Sequence, residues 1–296
     1  LGIRRRTGVD LSDEAIARIE TVRDLLEEVA RNEFAGEGMD ASPLEDPDSV
    51  LTDEQRAWLK PLSPTQERLA RGAWHLDRAA CRMMFGLQVT GLENLPQGPC
   101  IITPNHVSYL DPELVAAALP WEFMRNTSWA GWTGAAFANP ITRAFSRLAM
   151  AVPVNAERAV LSSVAIGAAV LQRQRNLVWF PEGRRSHEGK LLDFRRGVGM
   201  LLDHFQVPVV PVYIHGAYEA MSVGRPLPRP FPVHVVFGEP QAPADLERRG
   251  EGDDPEARIV HALREEVARL GRNRGAGPRY GHEDTSKDPA NPASYF

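Results

Sequence analysis

Cysteine is scarce in this 296-residue chain, which contains only Cys81 and Cys100. Their separation fits no metal-binding or redox motif, so we expect two free thiols in a reducing compartment. Long apolar runs are also missing: no stretch approaches the roughly 20 residues that a membrane-spanning helix needs, and no signal-peptide pattern is found. Basic residues are not in excess, since the net charge is -5, and nucleic acid is therefore not an expected partner. These absences favour a cytoplasmic protein; if it meets lipid, it would do so from one face only.

What the chain does contain is a regular alternation of strand-like and helical segments, in a composition typical of globular proteins (43% hydrophobic, 25% charged). Strands are predicted at 87-90, 99-103, 123-129, 149-154, 176-180, 208-214 and 232-237. Helices are predicted at 112-119, 140-148, 157-174, 195-205 and 254-271. This alternation indicates an α/β fold with a sheet covered by helices.

A histidine and a carboxylate, His106 and Asp111, follow the second predicted strand in the segment Asn105–Asp111. A neutral imidazole is well suited to removing a proton near neutral pH, because its unperturbed pKa is about 6.5. A carboxylate bound to its other ring nitrogen would fix the tautomer and stabilise the imidazolium. The pair therefore predicts a general base that needs no serine or cysteine nucleophile if a substrate hydroxyl attacks.

A second polar segment, Phe180–Ser186, follows the predicted strand at 176-180 and contains Glu182. In sheets of this kind, ligands collect beyond the carboxyl ends of the strands. His106 and Glu182 are therefore expected at one site.

These segments resemble the glycerolipid acyltransferases of the lysophosphatidate acyltransferase type. Asn105–Asp111 matches their Asn-His-x4-Asp motif, and Phe180–Ser186 matches Phe-Pro-Glu-Gly-Thr-Arg-Ser except that Arg184 replaces threonine. Val152–Arg158 resembles the motif that ends in arginine, although its usual glycine, aromatic residue and Asp-Arg ending are missing. Val207–Val212 resembles the apolar, proline-containing motif. The four segments occur in the family's order across about half of the chain.

The resemblance implies a mixed sheet covered by helices, preceded by an N-terminal helical segment, and an acyltransferase that needs no cofactor or metal. It implies transfer of a fatty acyl group from acyl-CoA or an acyl carrier protein to a glycerol-phosphate-type acceptor such as 1-acylglycerol-3-phosphate. His106 and Asp111 would be catalytic, and the enzyme would lie on the cytoplasmic face of the membrane. The residues expected to bind substrate are Asn105, Arg158, Glu182, Gly183, Arg184 and Arg185.

Other interpretations of the same residues remain open. Asp111 precedes Pro112 and could be an ordinary N-cap, and Asn105 could merely order a turn. A basic cluster after the second polar segment could be a solvated face or an anion site; it comprises Arg184, Arg185, Lys190, Arg195 and Arg196. The function could also be acyl transfer to another lysophospholipid or alcohol, thioester hydrolysis, or non-catalytic lipid binding.

Four regions are predicted along the chain. Residues 1-33 resemble the last half of an acyl carrier protein, which would make the chain a fragment of a longer fusion. Residues 34-62 are rich in Gly, Pro, Asp and Glu and are predicted to be a linker. The acyltransferase domain is predicted at 63-271 and a disordered tail at 272-296.

The helix predicted to begin at Ser63-Pro64 carries one apolar stripe. The stripe is formed by Leu69, Ala73, Leu76, Ala80 and Met83. Because most such stripes face a core, we expect it to pack on the catalytic domain. The alternative is a helix that lies on a membrane surface.

Overall fold

A computed structural model describes residues 43–132, 137, 139–154 and 159–272 of the chain. The carrier-like segment 1-33, the predicted tail beyond 272 and Arg158 lie outside the described residues. The division of the chain into a carrier-like segment, a linker, a catalytic domain and a tail therefore stays a prediction.

The helices are numbered α1 to α11 in chain order. They are Pro47–Val50, Asp53–Trp58, Pro64–Phe85, Asp111–Ala118, Trp121–Met124, Pro140–Leu148, Ala159–Gln172, Gly197–Phe205, Ala217–Ala220, Pro243–Arg249 and Pro255–Arg272. The strands β1 to β7 are Gln88–Thr90, Ile101–Pro104, Thr127–Trp132, Ala151–Val154, Asn176–Val178, Val209–His215 and His234–Phe237.

The strands form one seven-stranded sheet in the order β1-β7-β6-β2-β5-β3-β4. Neighbouring strands are parallel except β6 and β7, which are antiparallel. The expected mixed α/β sheet is thus confirmed. Because β2 lies between β5 and β6, the segments that follow β2 and β5 meet at the same edge of the sheet. This topology places both polar segments side by side.

The centre of the sheet is buried on both faces. Ile101, Ile102 and Leu177 are fully buried, as expected for parallel strands that helices cover on either side. Each such side chain contributes about 1.5–3 kcal/mol when it is removed from water. The strand ends that carry the site therefore rest on a rigid base.

One strand boundary differs from the prediction. The strand expected at 123-129 begins at Thr127, and the residues before it form helix α5, Trp121–Met124. Pro120 precedes this helix with an extended backbone, and its carbonyl accepts from the amides of Phe123 and Met124. None of the four helical residues has a β-branched side chain, so their intrinsic conformational preferences do not oppose this short helix.

The segment predicted as a linker contains two short helices, α1 and α2. Thr52 and Gln55 form a capping box at the start of α2. The Gln55 Nε2 also donates to the backbone oxygen of Pro153 at 2.9 Å, and the Trp58 ring packs edge-on against Phe137 at 4.9 Å. Residues 47–58 therefore belong to the folded body, because specific caps and contacts outweigh the linker-like composition.

Helix α3 begins with a capping box at Ser63, as predicted, and ends at Gly86 in the left-handed conformation. The expectation that its apolar stripe packs on the domain is wrong. Leu69, Leu76 and Met83 are 59%, 74% and 88% exposed. A different face is buried, on which Trp74 Nε1 donates to the backbone oxygen of Ala116 at 3.0 Å. None of the described helices combines the length and apolar character needed to cross a membrane.

Candidate active site

The structure brings His106 and Asp111 into direct contact. The Nδ1 of His106 lies 2.9 Å from the Oδ2 of Asp111. Because a carboxylate only accepts hydrogen bonds, Nδ1 is the donor and Nε2 keeps its lone pair. The imidazole is 14% exposed, and its ring lies 4.3 Å from that of Phe180. This arrangement provides a positioned, accessible proton acceptor.

Asp111 also organises the loop that carries His106. Its Oδ2 accepts from the amides of Val107 and Ser108 at 2.7 and 2.8 Å. The side chain is fully buried, and this burial raises the pKa of the carboxyl group, while the hydrogen bonds oppose that shift. Leu110, and not Asp111, occupies the N-cap of α4, which has no side-chain cap. The capping interpretation of Asp111 is therefore wrong.

Glu182 joins the two polar segments. Its Oε1 accepts from the His106 amide at 2.6 Å, and its Oε2 accepts from the Leu192 amide at 2.9 Å. The Ser186 amide donates back to the His106 carbonyl at 2.8 Å. Because Glu182 is buried with both oxygens bound to backbone amides, this geometry favours a positioning role over the substrate contact expected from the sequence.

Protonation of Glu182 is expected to make stability depend on pH. Burial raises the pKa of this carboxyl group from 4.5 to about 7, although its two backbone donors favour the charged form. Between these pH values the folded protein binds this proton more tightly than the unfolded chain does. Protonation of Glu182 therefore contributes fully to the free energy of unfolding below pH 4.5, and this contribution is lost as the pH rises to about 7. Glu182→Gln cannot titrate. The free energy of unfolding of the parent relative to this variant, measured by chemical denaturation, should therefore fall over that range.

The exposed Glu239→Gln variant serves as the control for the loss of one carboxylate. A parent-minus-variant difference for Glu182 that stays constant from pH 4.5 to 7 would mean that its folded-state pKa is not raised.

Asn105 anchors the catalytic loop, residues 105–110 between β2 and α4, to strand β6. Its side chain is buried, and its Oδ1 accepts from the Ile214 amide at 2.7 Å. This contact therefore favours a structural role for Asn105 over the substrate-binding role expected from the sequence. Asn105 instead orders the backbone directly before His106.

The predicted basic cluster separates into paired and unpaired side chains. Lys190 pairs with Glu188, and Arg196 pairs with Asp254. The other three arginines of the cluster, Arg184, Arg185 and Arg195, have no ion pair with any described residue. The cluster is thus a solvated face in one part and a candidate anion site in the other.

Two of the unpaired arginines are held beside the catalytic loop. The Arg185 guanidinium lies over the Tyr109 ring at 4.0 Å. Gly183 has a φ of +66°, and a Cβ there would lie 2.5 Å from Arg195 Nε. Glycine is thus required both by backbone conformation and by the approach of Arg195. The sequence placed Arg195 in the basic cluster but not among the expected substrate-binding residues, because only the fold shows that it covers Gly183.

Metal-binding groups were also sought in the described part of the chain. No set of three or more His, Cys, Asp or Glu side chains there is placed to hold a metal ion.

Comparison with known proteins supports the resemblance that the motifs indicate. Residues 86–215, which carry the described site, match the acyltransferase family. A 1-acyl-sn-glycerol-3-phosphate acyltransferase alpha from Homo sapiens is 31% identical over 44% of this chain and 47% of its own length. A chloroplastic 1-acyl-sn-glycerol-3-phosphate acyltransferase from Brassica napus is 28% identical over 47% of this chain and 40% of its own length.

The chain thus matches less than half the length of these curated relatives. The crystal structure of a 1-acyl-sn-glycerophosphate acyltransferase from Thermotoga maritima has the same fold, with a TM-score of 0.56. That match is 22% identical and covers 78% of this chain and 87% of that chain. Part of the chain is thus similar in sequence to 1-acyl-sn-glycerol-3-phosphate acyltransferases, and the described fold is similar to that of the Thermotoga maritima structure.

Proposed function

We propose that the protein transfers a fatty acyl group from a thioester to the free hydroxyl of a glycerol-phosphate-type acceptor such as 1-acylglycerol-3-phosphate. The observation that carries this proposal is the His106–Asp111 pair, in which the buried carboxylate accepts from Nδ1 and leaves Nε2 as the base. The similarity of residues 86–215 to the acyltransferase family supports the reaction class.

In the proposed mechanism, His106 Nε2 takes the proton of the acceptor hydroxyl as its oxygen attacks the thioester carbonyl. The new ester bond forms as the carbon–sulfur bond breaks, and the imidazolium returns the proton to the leaving thiolate. Asp111 stabilises the imidazolium between these steps. No acyl-enzyme forms, and no metal or cofactor takes part in this mechanism.

The acceptor's phosphate requires cations, and arginine suits it because its guanidinium donates two parallel hydrogen bonds. Arg184 and Arg185 are the described arginines of the expected binding set, and Arg195 adds a third guanidinium without an ion pair at the same loop. Arg158 stays a predicted phosphate ligand. The donor is acyl-CoA or an acyl carrier protein, and the acyl-chain preference is open.

The proposal is tested by incubating the protein with both donor types and a panel of acceptors, then identifying acylated products by mass spectrometry. We expect a diacylated phosphate-containing product from 1-acylglycerol-3-phosphate. Release of free fatty acid at the same rate without any acceptor would identify a thioesterase instead. Acylation of an unphosphorylated alcohol in preference would identify a different acceptor class.

Arg158→Ala is expected to raise the KM for a phosphorylated acceptor while leaving the KM for the donor nearly unchanged. A lost hydrogen bond to a charged group is worth about 1.5–3 kcal/mol, or roughly one to two decades in affinity. Steady-state kinetics with each substrate varied in turn measure both constants, and Arg225→Ala, an exposed residue outside the site, is the control. Equal effects on both substrates would assign Arg158 a structural role.

The exposed apolar stripe of α3 supports association with a membrane surface. Helix α6 contacts α3 and also exposes large apolar side chains, Ile141 (70%) and Phe145 (62%). Apolar side chains on adjacent helices, exposed to this degree, are typical of surfaces that insert into the boundary of a bilayer. We therefore include a membrane face, from which a lipid acceptor would enter, in the proposed function.

The membrane face is tested by Leu76→Gln combined with Met83→Gln. Vesicle binding should fall at least about tenfold, because each buried apolar side chain is worth about 1.5–3 kcal/mol. Activity on a short-chain, water-soluble acceptor should stay within twofold of the parent. Leu227→Gln is a matched control, since Leu227 is 73% exposed outside α3 and α6. Vesicle binding unchanged in the double variant would exclude this face.

A further inference from the structure

Helix α3 presents three different stripes along its length. The buried stripe against the domain is formed by Ala70, Trp74, Asp77, Cys81 and Phe85. The apolar stripe, already described, is exposed. A third stripe, the basic stripe, comprises Arg68, Arg71, His75, Arg78 and Arg82. Successive members of this stripe are three or four residues apart, so they lie on one face of the helix.

The basic stripe is both accessible and uncompensated. Arg68, Arg71, His75 and Arg82 are exposed, and none of the four arginines has an ion pair among the described residues. Most other described arginines are paired, for example Arg125 with Glu67. Burial and the charge of Arg82 both lower the pKa of Arg78, which is consistent with like charges crowding on this face. Neighbouring like charges on a helix repel one another and destabilise it. A bound anionic partner would reduce this repulsion.

The direction of the basic stripe argues against lipid as that partner. At 3.6 residues per turn, its centre lies about 140° around the helix axis from the centre of the apolar stripe. When the apolar stripe rests on a bilayer, the basic stripe therefore points away from the lipid surface. Cations that serve anionic lipids normally flank the apolar face, where they can reach the headgroups.

The basic stripe also leads towards the catalytic end of the fold. Helices α3 and α4 are antiparallel: Glu67 pairs with Arg125 beyond the end of α4, and Trp74 reaches Ala116. Further along α3, the charge of Asp77 adds to the burial that raises the pKa of Glu113 in the first turn of α4, which places these two carboxyl groups near each other. Since α4 begins at Asp111, the Arg78–Arg82 end of the stripe lies on the side of the active site.

We infer that the basic stripe is the docking surface for an acidic acyl carrier protein, which would deliver the acyl thioester from the aqueous side while the acceptor enters from the membrane. The inference rests on the proposed acyl-transfer function. Charge complementarity selects this occupant: the carrier-like segment 1-33 has eight acidic and six basic residues, and three of the basic ones, Arg4 to Arg6, precede the stretch Asp10–Glu33 that holds all eight acidic residues. Charged surfaces of opposite sign steer association and fix the orientation of docking.

The test compares two donors that carry the same acyl chain, one on an acyl carrier protein and one on CoA. The variant Arg71→Gln/Arg82→Gln removes two exposed charges and spares Arg78, whose guanidinium lies over Trp74. Lys60→Gln/Arg225→Gln removes two exposed charges elsewhere and is the matched control. We expect kcat/KM for the carrier-bound donor to fall tenfold or more, with a weaker salt dependence than in the parent.

With acyl-CoA, and in binding to anionic vesicles, the stripe variant should stay within twofold of the parent. The inference would be overturned by equal losses with both donors, or by no loss with either. It would also be overturned by weaker vesicle binding without a change in donor preference, and that outcome would assign the stripe to lipid. Parent activity with acyl-CoA but none with the carrier-bound donor would also overturn it, while leaving the proposed function intact. A parent inactive with both donors would instead refute the proposed function.

Discussion

Replacing His106 with alanine is expected to reduce turnover by about 100- to 10,000-fold, the usual cost of losing a general base. The fold should be retained, because Asp111 keeps its two bonds to the Val107 and Ser108 amides. Circular dichroism and thermal unfolding check the fold, and steady-state kinetics check the rate. His204→Ala, an exposed histidine on α8, is the control. A folded His106→Ala enzyme with near-parent turnover would refute general-base catalysis by this residue.

The second large effect is expected for Asp111→Asn, which should lower the rate by about 100-fold or more and also destabilise the fold. One oxygen, Oδ2, accepts three hydrogen bonds, from His106 and from the amides of Val107 and Ser108. If the asparagine carbonyl takes this place, the imidazolium loses its negative partner. The new amide nitrogen then occupies the position of Oδ1, which is buried without a hydrogen-bond partner. An unsatisfied buried donor costs about 1–3 kcal/mol.

Chemical denaturation and kinetics on the same preparation separate the two consequences of Asp111→Asn. Asp203→Asn, on the half-exposed surface of α8, is the control. A variant that unfolds with parent stability and turns over at the parent rate would show that Asp111 neither organises the loop nor supports His106.

The sequence predicted the strands and the side-by-side placement of the two polar segments well, because both depend on local pattern. Apolar runs bounded by turn residues identify buried parallel strands, and residues after such strands meet at one edge of the sheet. The segment 123-129 was misplaced in part because an apolar run of this length does not distinguish a strand from a short helix. Trp121–Met124 became helical within its tertiary surroundings.

The face of α3 that enters the core could not be predicted from the sequence. Periodicity shows which residues share a face, but it does not show which face is covered. The apolar stripe is the more hydrophobic, yet the buried stripe contains Asp77 and Cys81. The domain selects this stripe through specific contacts, such as Trp74 with Ala116. Hydrophobicity alone therefore gave the opposite orientation.

The roles of Asn105, Asp111 and Glu182 were only partly predictable for a related reason. A motif shows that these side chains occur together, but it does not show which backbone amides they bind: those of Asp111 lie in its own loop, whereas Asn105 and Glu182 also bind amides outside the motifs. Ile214 is one such partner and Leu192 is another. Sequence spacing carries no information about contacts of this kind.

Because three buried side chains hold the catalytic loop, the loop is already ordered when the protein has folded, before substrate binds. Asp111 binds two amides within the loop, Glu182 binds one amide within it and one beyond it, and Asn105 binds an amide of β6. All three side chains are buried. Fixing one residue's backbone costs about 1–2 kcal/mol of conformational entropy, and here that cost is met during folding by contacts internal to the protein. Substrate binding does not have to supply it. The acceptor thus meets dipoles and a base already oriented, so reorganisation during the chemical step is small.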